Sequence, residues 1–247
     1  WNWKAGTSFS NSAGANSATI ASTGSVNTDA GFSIISYTGN GVAGATVAHG
    51  LGAAPKVVFG KARNSGGEDW FFGHSSIGFN KYLKLDTTDA ANTTSIVFND
   101  TAPSSSVVTL GSNGIVNSGS YNHIMYCFAE KQGYSKFGSY TGNGNADGPF
   151  VYTGFKPAFV MMKNTSNATS SDWLILDNKR DPYNVANTHL DANNSDAESS
   201  ASWVNTDLLS NGFKLRTTDE TINESGNTFI YMAFAENPFV TSTAIPA

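Results

Sequence analysis

The sequence predicts an all-β protein built as two tandem antiparallel β-sandwiches of jelly-roll-like character. Three observations predict it. The chain writes one unit twice: residues 36–41 and 139–144 both read Ser-Tyr-Thr-Gly-Asn-Gly, and each copy runs on to a closing Phe-Ala-Glu, at residues 128–130 and 234–236. Pro55 with Pro157, Lys61 with Lys163, Trp70 with Trp173, Phe98 with Trp203, Val108 with Phe213 and Leu110 with Leu215 keep step at an offset that drifts from 102 to 105 residues. Such slow drift is the pattern of one fold used twice, with insertions confined to loops. Composition agrees: charged residues are 13% and aromatics 12%, with 25 glycines in 247 residues, a profile of short strands and many turns. Finally, β-branched and aromatic runs recur between clusters of Gly, Asn, Ser and Pro at the spacing expected for a sandwich or barrel.

Residues 1–31 are rich in Ser, Ala, Thr, Asn and Gly, with Trp1, Trp3, Phe9 and Ile20 as the large apolar exceptions. They are expected to form an extended connector that lies along a neighbouring domain or subunit. The first repeat spans 32–131. It opens with the strand Phe32-Ser-Ile-Ile-Ser-Tyr, which ends at the Gly39-Asn-Gly41 turn. Residues 56–61 and 69–74 read as a hairpin, and 82–86, 95–98, 107–110 and 123–130 as further strands. Gln132 and Gly133 separate the copies. The second repeat spans 134–240, with strands at 158–163, 172–177, 212–216 and 228–236. Its one long excursion is 178–202, polar and too long for a hairpin turn, and long loops on rigid β scaffolds are where function tends to sit. Residues 241–247 read as a frayed tail.

Charge excludes some classes of partner. With a net charge of −5 and Lys and Arg scattered singly, the chain lacks the basic stripe that nucleic acid or an anionic membrane surface requires. No apolar run approaches the roughly 20 residues that span a bilayer, so no membrane insertion is expected. The start at Trp1, without Met, reads as a piece of a longer protein. Cys127 is the only cysteine, and its apolar surroundings suggest a small buried hydrophobe.

Chemistry-bearing strings are weak. Gly73-His-Ser-Ser-Ile-Gly78 departs from a nucleophile elbow, which also needs a strand-to-helix turn in an α/β sheet. His49-Gly-Leu-Gly52 resembles an oxyanion loop but sits among small residues, where close approach between loops explains it. The carboxylate pairs Asp86 with Asp89, Asp177 with Asp181, and Asp219 with Glu220 are better read as solvated or turn-capping groups than as a glycosidase dyad. Residues 191–196 alternate oxygen donors without the glycine and glutamate of a calcium loop, so calcium there competes with an Asx-rich loop that bonds its own backbone. No catalytic residue, metal or cofactor is assigned. Trp70 and Trp173, at equivalent places in two strands, read as core. The candidate ligand-binding residues are Lys179, Arg180, Asp181, Tyr183 and Trp203, in or beside the long loop. There an aromatic ring could stack on a pyranose while polar groups bond its hydroxyls. The bland alternative is a charge cluster that merely holds the loop.

The strings Phe32-Ser-Ile-Ile-Ser-Tyr-Thr-Gly-Asn-Gly41, His49-Gly-Leu-Gly52 with Pro55-Lys56, Lys81-Tyr-Leu83, Gly133-Tyr-Ser-Lys-Phe-Gly-Ser-Tyr140, Lys179-Arg-Asp-Pro-Tyr183 and Ser210-Asn-Gly-Phe213 resemble a repeated β domain. That domain occurs in large virion proteins, tail fibres or related appendages, of phages that infect marine bacteria. The resemblance covers 31–240. It implies an extracellular virion appendage, a homo-oligomer with a trimer favoured, contact with other virion proteins, and weak, repeated binding to a host-surface glycan or protein. A purely structural spacer and a polysaccharide-degrading enzyme are the competing readings.

Overall fold

The structure, a computed structural model, describes residues 2–167 and 171–238. Trp1, the expected tail 241–247 and the last two residues of the expected second repeat lie outside the described residues. The chain is nearly all β, its strands pair antiparallel, and it divides into two compact units. The first holds the residues up to Asp86 together with Ala91–Glu130. The second holds Thr87–Ala90 and the described residues from Lys131 onward.

In the first unit, β1 (Thr7–Asn11), β2 (Ser22–Asn27), β3 (Phe32–Thr38), β4 (Ala45–Ala48), β5 (Val57–Ala62), β6 (Phe71–His74), β7 (Lys81–Lys84) and β8 (Asn92–Thr93) precede a helical turn, α1 (Ser95–Phe98). Then come β9 (Val107–Leu110), a second turn, α2 (Gly114–Asn117), and β10 (Asn122–Phe128). Eight strands form one sheet in the order β1-β2-β3-β10-β5-β6-β7-β8, and β4 pairs with β9. Alternation along β10 decides the faces: His123, Met125 and Cys127 are buried on one side, whereas Ile124 and Tyr126 on the other are partly exposed. Met125 pairs with Ile35 and with Gly60. A Cβ on Gly60 would lie 2.7 Å from the Phe71 ring, so only glycine lets that ring fill the core. Ile35, Val58, Phe71, Met125 and Cys127 thus meet Ala45, Val47, Val108 and Leu110 of the small sheet in one core, an arrangement that fits a β-sandwich.

Three expectations change here. Residues 95–98, read as a strand, form α1. Val97 and Phe98 are buried in succession, which a half-buried strand cannot do, while Thr94 caps the Ile96 N–H and Asn99 closes the turn in the left-handed region. Residues 7–27, expected in an extended connector, contribute β1 and β2 to the sheet, with β2 paired to β3 from Ser22↔Tyr37 to Asn27↔Phe32. The apolar residues of that segment find partners within the unit: Ile20 enters the core, Phe9 packs on it, and Trp3 lies 5.5 Å from Phe128 and 6.5 Å from Phe32, centroid to centroid. Trp70 does not stand inside a strand or the core. It precedes β6, half-buried, with the Lys61 amine 5.8 Å above its ring and its N–H on the Asp86 carboxylate.

The second unit runs β11 (Ser135–Thr141), β12 (Phe150–Tyr152), β13 (Pro157–Asn164), β14 (Leu174–Asp177), β15 (Thr188–Asp191), β16 (Ser199–Ser200), a 3-10 turn (Ser202–Val204), β17 (Thr206–Leu209), β18 (Gly212–Leu215), α3 (Glu220–Asn223) and β19 (Thr228–Ala235). Its sheets are β11-β19-β13-β14-β15-β16 and β12-β18-β17. The core between them takes Val160, Met162, Leu174 and Leu176 from the larger sheet and Val151, Leu208, Phe213 and Leu215 from the smaller. Trp173 is fully buried. The excursion 178–202 therefore contains two further strands, β15 and β16, which extend the larger sheet.

Candidate functional site

The loop that leaves β14 is braced from within. Asp177 closes the strand, and its Oδ1 accepts the N–H of Lys179 at 2.9 Å and of Arg180 at 3.0 Å. The Arg180 guanidinium lies between the Asp177 carboxylate, a very short pair, and Glu198 at 3.0 Å. Asp181 accepts the N–H groups of Asn187 and Thr188 at 2.8 and 2.6 Å and the Thr188 hydroxyl at 3.0 Å. Further on, the Asn184 amide imitates a strand partner: its Oδ1 accepts the Leu208 N–H at 2.8 Å and its Nδ2 donates to the Leu208 carbonyl at 3.1 Å. Ala186 then exchanges two backbone bonds with Thr206. Between these anchors Tyr183 stands 85% exposed.

The sequence candidates therefore separate. Lys179 and Tyr183 face solvent, whereas Arg180 and Asp181 are engaged in holding the loop. Trp203 turns inward, packing on the second core with its ring edge-on to His189 at 4.7 Å. Loop and edge residues are thus neighbours in sequence but not one binding surface.

Residues 191–196 turn on themselves. Asn193 accepts the Trp173 N–H at 2.7 Å and donates to Asp172, and Asn194 bonds Asp191 and the Asp196 N–H. Burial raises the Asp191 pKa above the usual carboxylate range. Among the described residues no group of three His, Cys, Asp or Glu side chains is placed to hold a metal. Nearby, Lys163 is buried, its amine donating to the carbonyls of Thr88 and Asn164 at 3.1 and 2.6 Å, and burial brings its pKa down to about 8. In the first unit, His49 Nδ1 accepts the Leu51 N–H at 3.2 Å and His74 Nδ1 accepts that of Ser76 at 3.1 Å, so both histidines organise turns.

Two exposed rings were not singled out by sequence reasoning. Phe150 and Tyr152, 45% and 64% exposed, project from β12 while Val151 between them faces the core. A Cβ on Gly212 would sit 2.9 Å from the Phe150 ring, which thus lies over that glycine. Beside them Lys214 pairs with Asp147 at 2.8 Å and Arg216 with Asp207 at 2.5 Å, and the Lys214 amine holds the Asp147 carboxyl below its ordinary range. The signal was present in Phe-Val-Tyr, whose alternation leaves two large rings on one side of a very short strand.

An all-β chain of two compact units, with exposed aromatics on the second, is the class that fold and surface define. The chain belongs to the family described as Domain of unknown function (DUF7483), which matches residues 1–238. No curated protein and no solved structure matches it.

Proposed function

We propose that the protein is a non-enzymatic structural and adhesive module of a virion appendage of the tail-fibre type, which binds a host-surface glycan through the loop after β14. The observation that carries this reading is the exposed Tyr183 ring on a loop whose anchors are internal. A loop already held in place loses little freedom on binding, and Lys179, exposed in the same loop, can orient a hydroxyl or an acidic group. One such site is weak. Several copies on one surface multiply affinity by about 10² to 10⁴, so a deep pocket is not required.

We also infer that the two units are one fold used twice. In support, β3-β10-β5-β6-β7-β8 runs in the same chain order as β11-β19-β13-β14-β15-β16. Tyr37 and Tyr140 each donate to a carbonyl in a helical turn, Val116 at 2.7 Å and Ile222 at 2.8 Å. Asn117 and Asn223 sit alike, accepting the N–H of Asn40 and Asn143 and donating to Gly111 and Thr217.

Host cells and a glycan array test the adhesive reading. Tyr183→Ala and Lys179→Ala should each weaken binding by about tenfold, a loss of about 1.4 kcal/mol, with unchanged thermal stability. Undiminished binding by both folded variants would remove the loop. Binding to nothing on cells or array would favour the spacer, and release of reducing ends from host polysaccharide would show an enzyme.

A further inference from the structure

The small sheet of the second unit ends in an open edge, and we propose that this edge pairs with itself. β12 of one copy would add in antiparallel register to β12 of a second copy, about a two-fold axis at Val151. Bonds from Leu215 N–H to the Pro149 carbonyl at 3.2 Å and from Thr153 N–H to the Asn211 carbonyl at 3.0 Å flank the β12–β18 ladder. Because bonding alternates along an antiparallel pair, Val151 is the residue bonded to β18 between them, and the N–H and C=O groups of Phe150 and Tyr152 point away from β18. Among the described residues nothing bonds those groups.

The first unit shows what such an edge takes up. On β4, the Thr46 carbonyl accepts the N–H groups of Thr19 and Ile20, both at 3.0 Å, and the Thr46 N–H donates to the Thr19 hydroxyl at 2.8 Å. The Ser22 hydroxyl reaches the Ala48 carbonyl at 3.4 Å, and Ile20 bridges Val47 in parallel. Ala18, Ala48 and Val107 close over the outer side. That covering segment precedes β3. Ahead of β11 stands the short joint after β10, and among the described residues nothing covers the β12 edge.

The occupant that the edge fits is a second copy. Centred on Val151, antiparallel pairing sets Phe150 opposite Tyr152 of the second copy on both sides of the axis. Both pairs are of the doubly bonded kind, so the open groups of each copy are met, and ring lies against ring. The contact is self-complementary, as a two-fold interface must be. Shortness is the one device β12 has to keep an edge apart; it carries neither a charge nor a proline nor a bulge within the strand. Two partly exposed rings per copy fall short of the roughly 800 Å² per partner of a stable interface, so the pairing is weak and gains from arrays of copies.

Sedimentation velocity of the full chain up to millimolar concentration should show a concentration-dependent dimer. Tyr152→Lys and Phe150→Lys, each checked for an unchanged melting temperature, should raise its dissociation constant about tenfold or more. Register is read by oxidation: a mixture of Phe150→Cys and Tyr152→Cys chains should form the mixed disulfide, since doubly bonded pairs stand about 5.5 Å apart at Cα, and each variant alone should cross-link far less. A monomer at every concentration, a dimer indifferent to both lysines, or equal cross-linking of the single variants would each overturn the proposal.

Discussion

Asp181 and Tyr183, two residues apart, make opposite predictions for stability. Asp181 accepts three hydrogen bonds, two of them from backbone N–H groups. Asp181→Ala should therefore destabilise the second unit by about 2–3 kcal/mol, whereas Tyr183→Ala should change the unfolding free energy by less than about 0.5 kcal/mol. Urea titration of the two variants separates a brace from an exposed ring, and equal losses would count against that division. His123 adds a pH effect. Its ring is buried against Tyr37 at 5.1 Å, and burial brings its pKa down to about 4, against the pull of the Ser118 and Ile115 carbonyls. Because the folded pKa is depressed, the unfolded imidazole, at its ordinary value of about 6.5, takes up the proton first on acidification. Stability is therefore full above about pH 6.5 and falls as the pH drops toward 4, and His49, lowered by burial, acts with the same sign. Melting temperatures between pH 7 and 5 should fall, and His123→Phe should flatten that slope.

The elements differ in how openly the sequence announces them. Strands such as β3, β5, β10, β13 and β19 combine β-branched or aromatic residues with turn glycines, and they were legible to within a residue or two. α1 was not, because Ser-Ile-Val-Phe has strand-forming residues throughout and its helical turn is imposed by the Thr94 cap and by the burial of two successive side chains. The same holds for the candidate site. That 178–202 would carry exposed polar residues could be read from its length and composition, but the use of Arg180 and Asp181 as braces depends on where Glu198, Asn187 and Thr188 come to rest. Equivalence in sequence likewise concealed a difference between Trp173, which is fully buried, and Trp70, which is half-buried, stacked on Tyr126 at 6.4 Å and tilted against Phe59 at 6.5 Å. Trp173→Ala should cost about 3–5 kcal/mol, and Trp70→Ala about 1–2 kcal/mol from lost stacking and the lost cation contact. If the two variants melt together, the burial contrast does not govern their energetics.

At the scale of the whole molecule, the segment before β3 is part of the first unit's architecture. It supplies two strands beyond β3, places Ile20 in the core, lays Trp3 against Phe32 and Phe128, and covers the outer edge of β4 through Thr19, Ile20 and Ser22. Removing residues 2–31 would open both the β3 edge and the β4 edge at once and take an isoleucine from the core, whose loss alone is worth about 2–5 kcal/mol on the scale of large-to-small substitutions. Marginal stability leaves little room for that, and an uncovered edge is a template for association. Hydrogen exchange on the shortened chain should accordingly show amides of β3 and β4 losing protection by orders of magnitude, with aggregation rising with concentration. Amides of β13 and β19, paired with each other from Pro157↔Ala235 to Asn164↔Phe229, should keep theirs. Full protection of β3 and β4 after the deletion would mean that the segment lies on the unit without supporting it, and loss of protection at β13 and β19 in step with β3 would mean that the two units unfold as one.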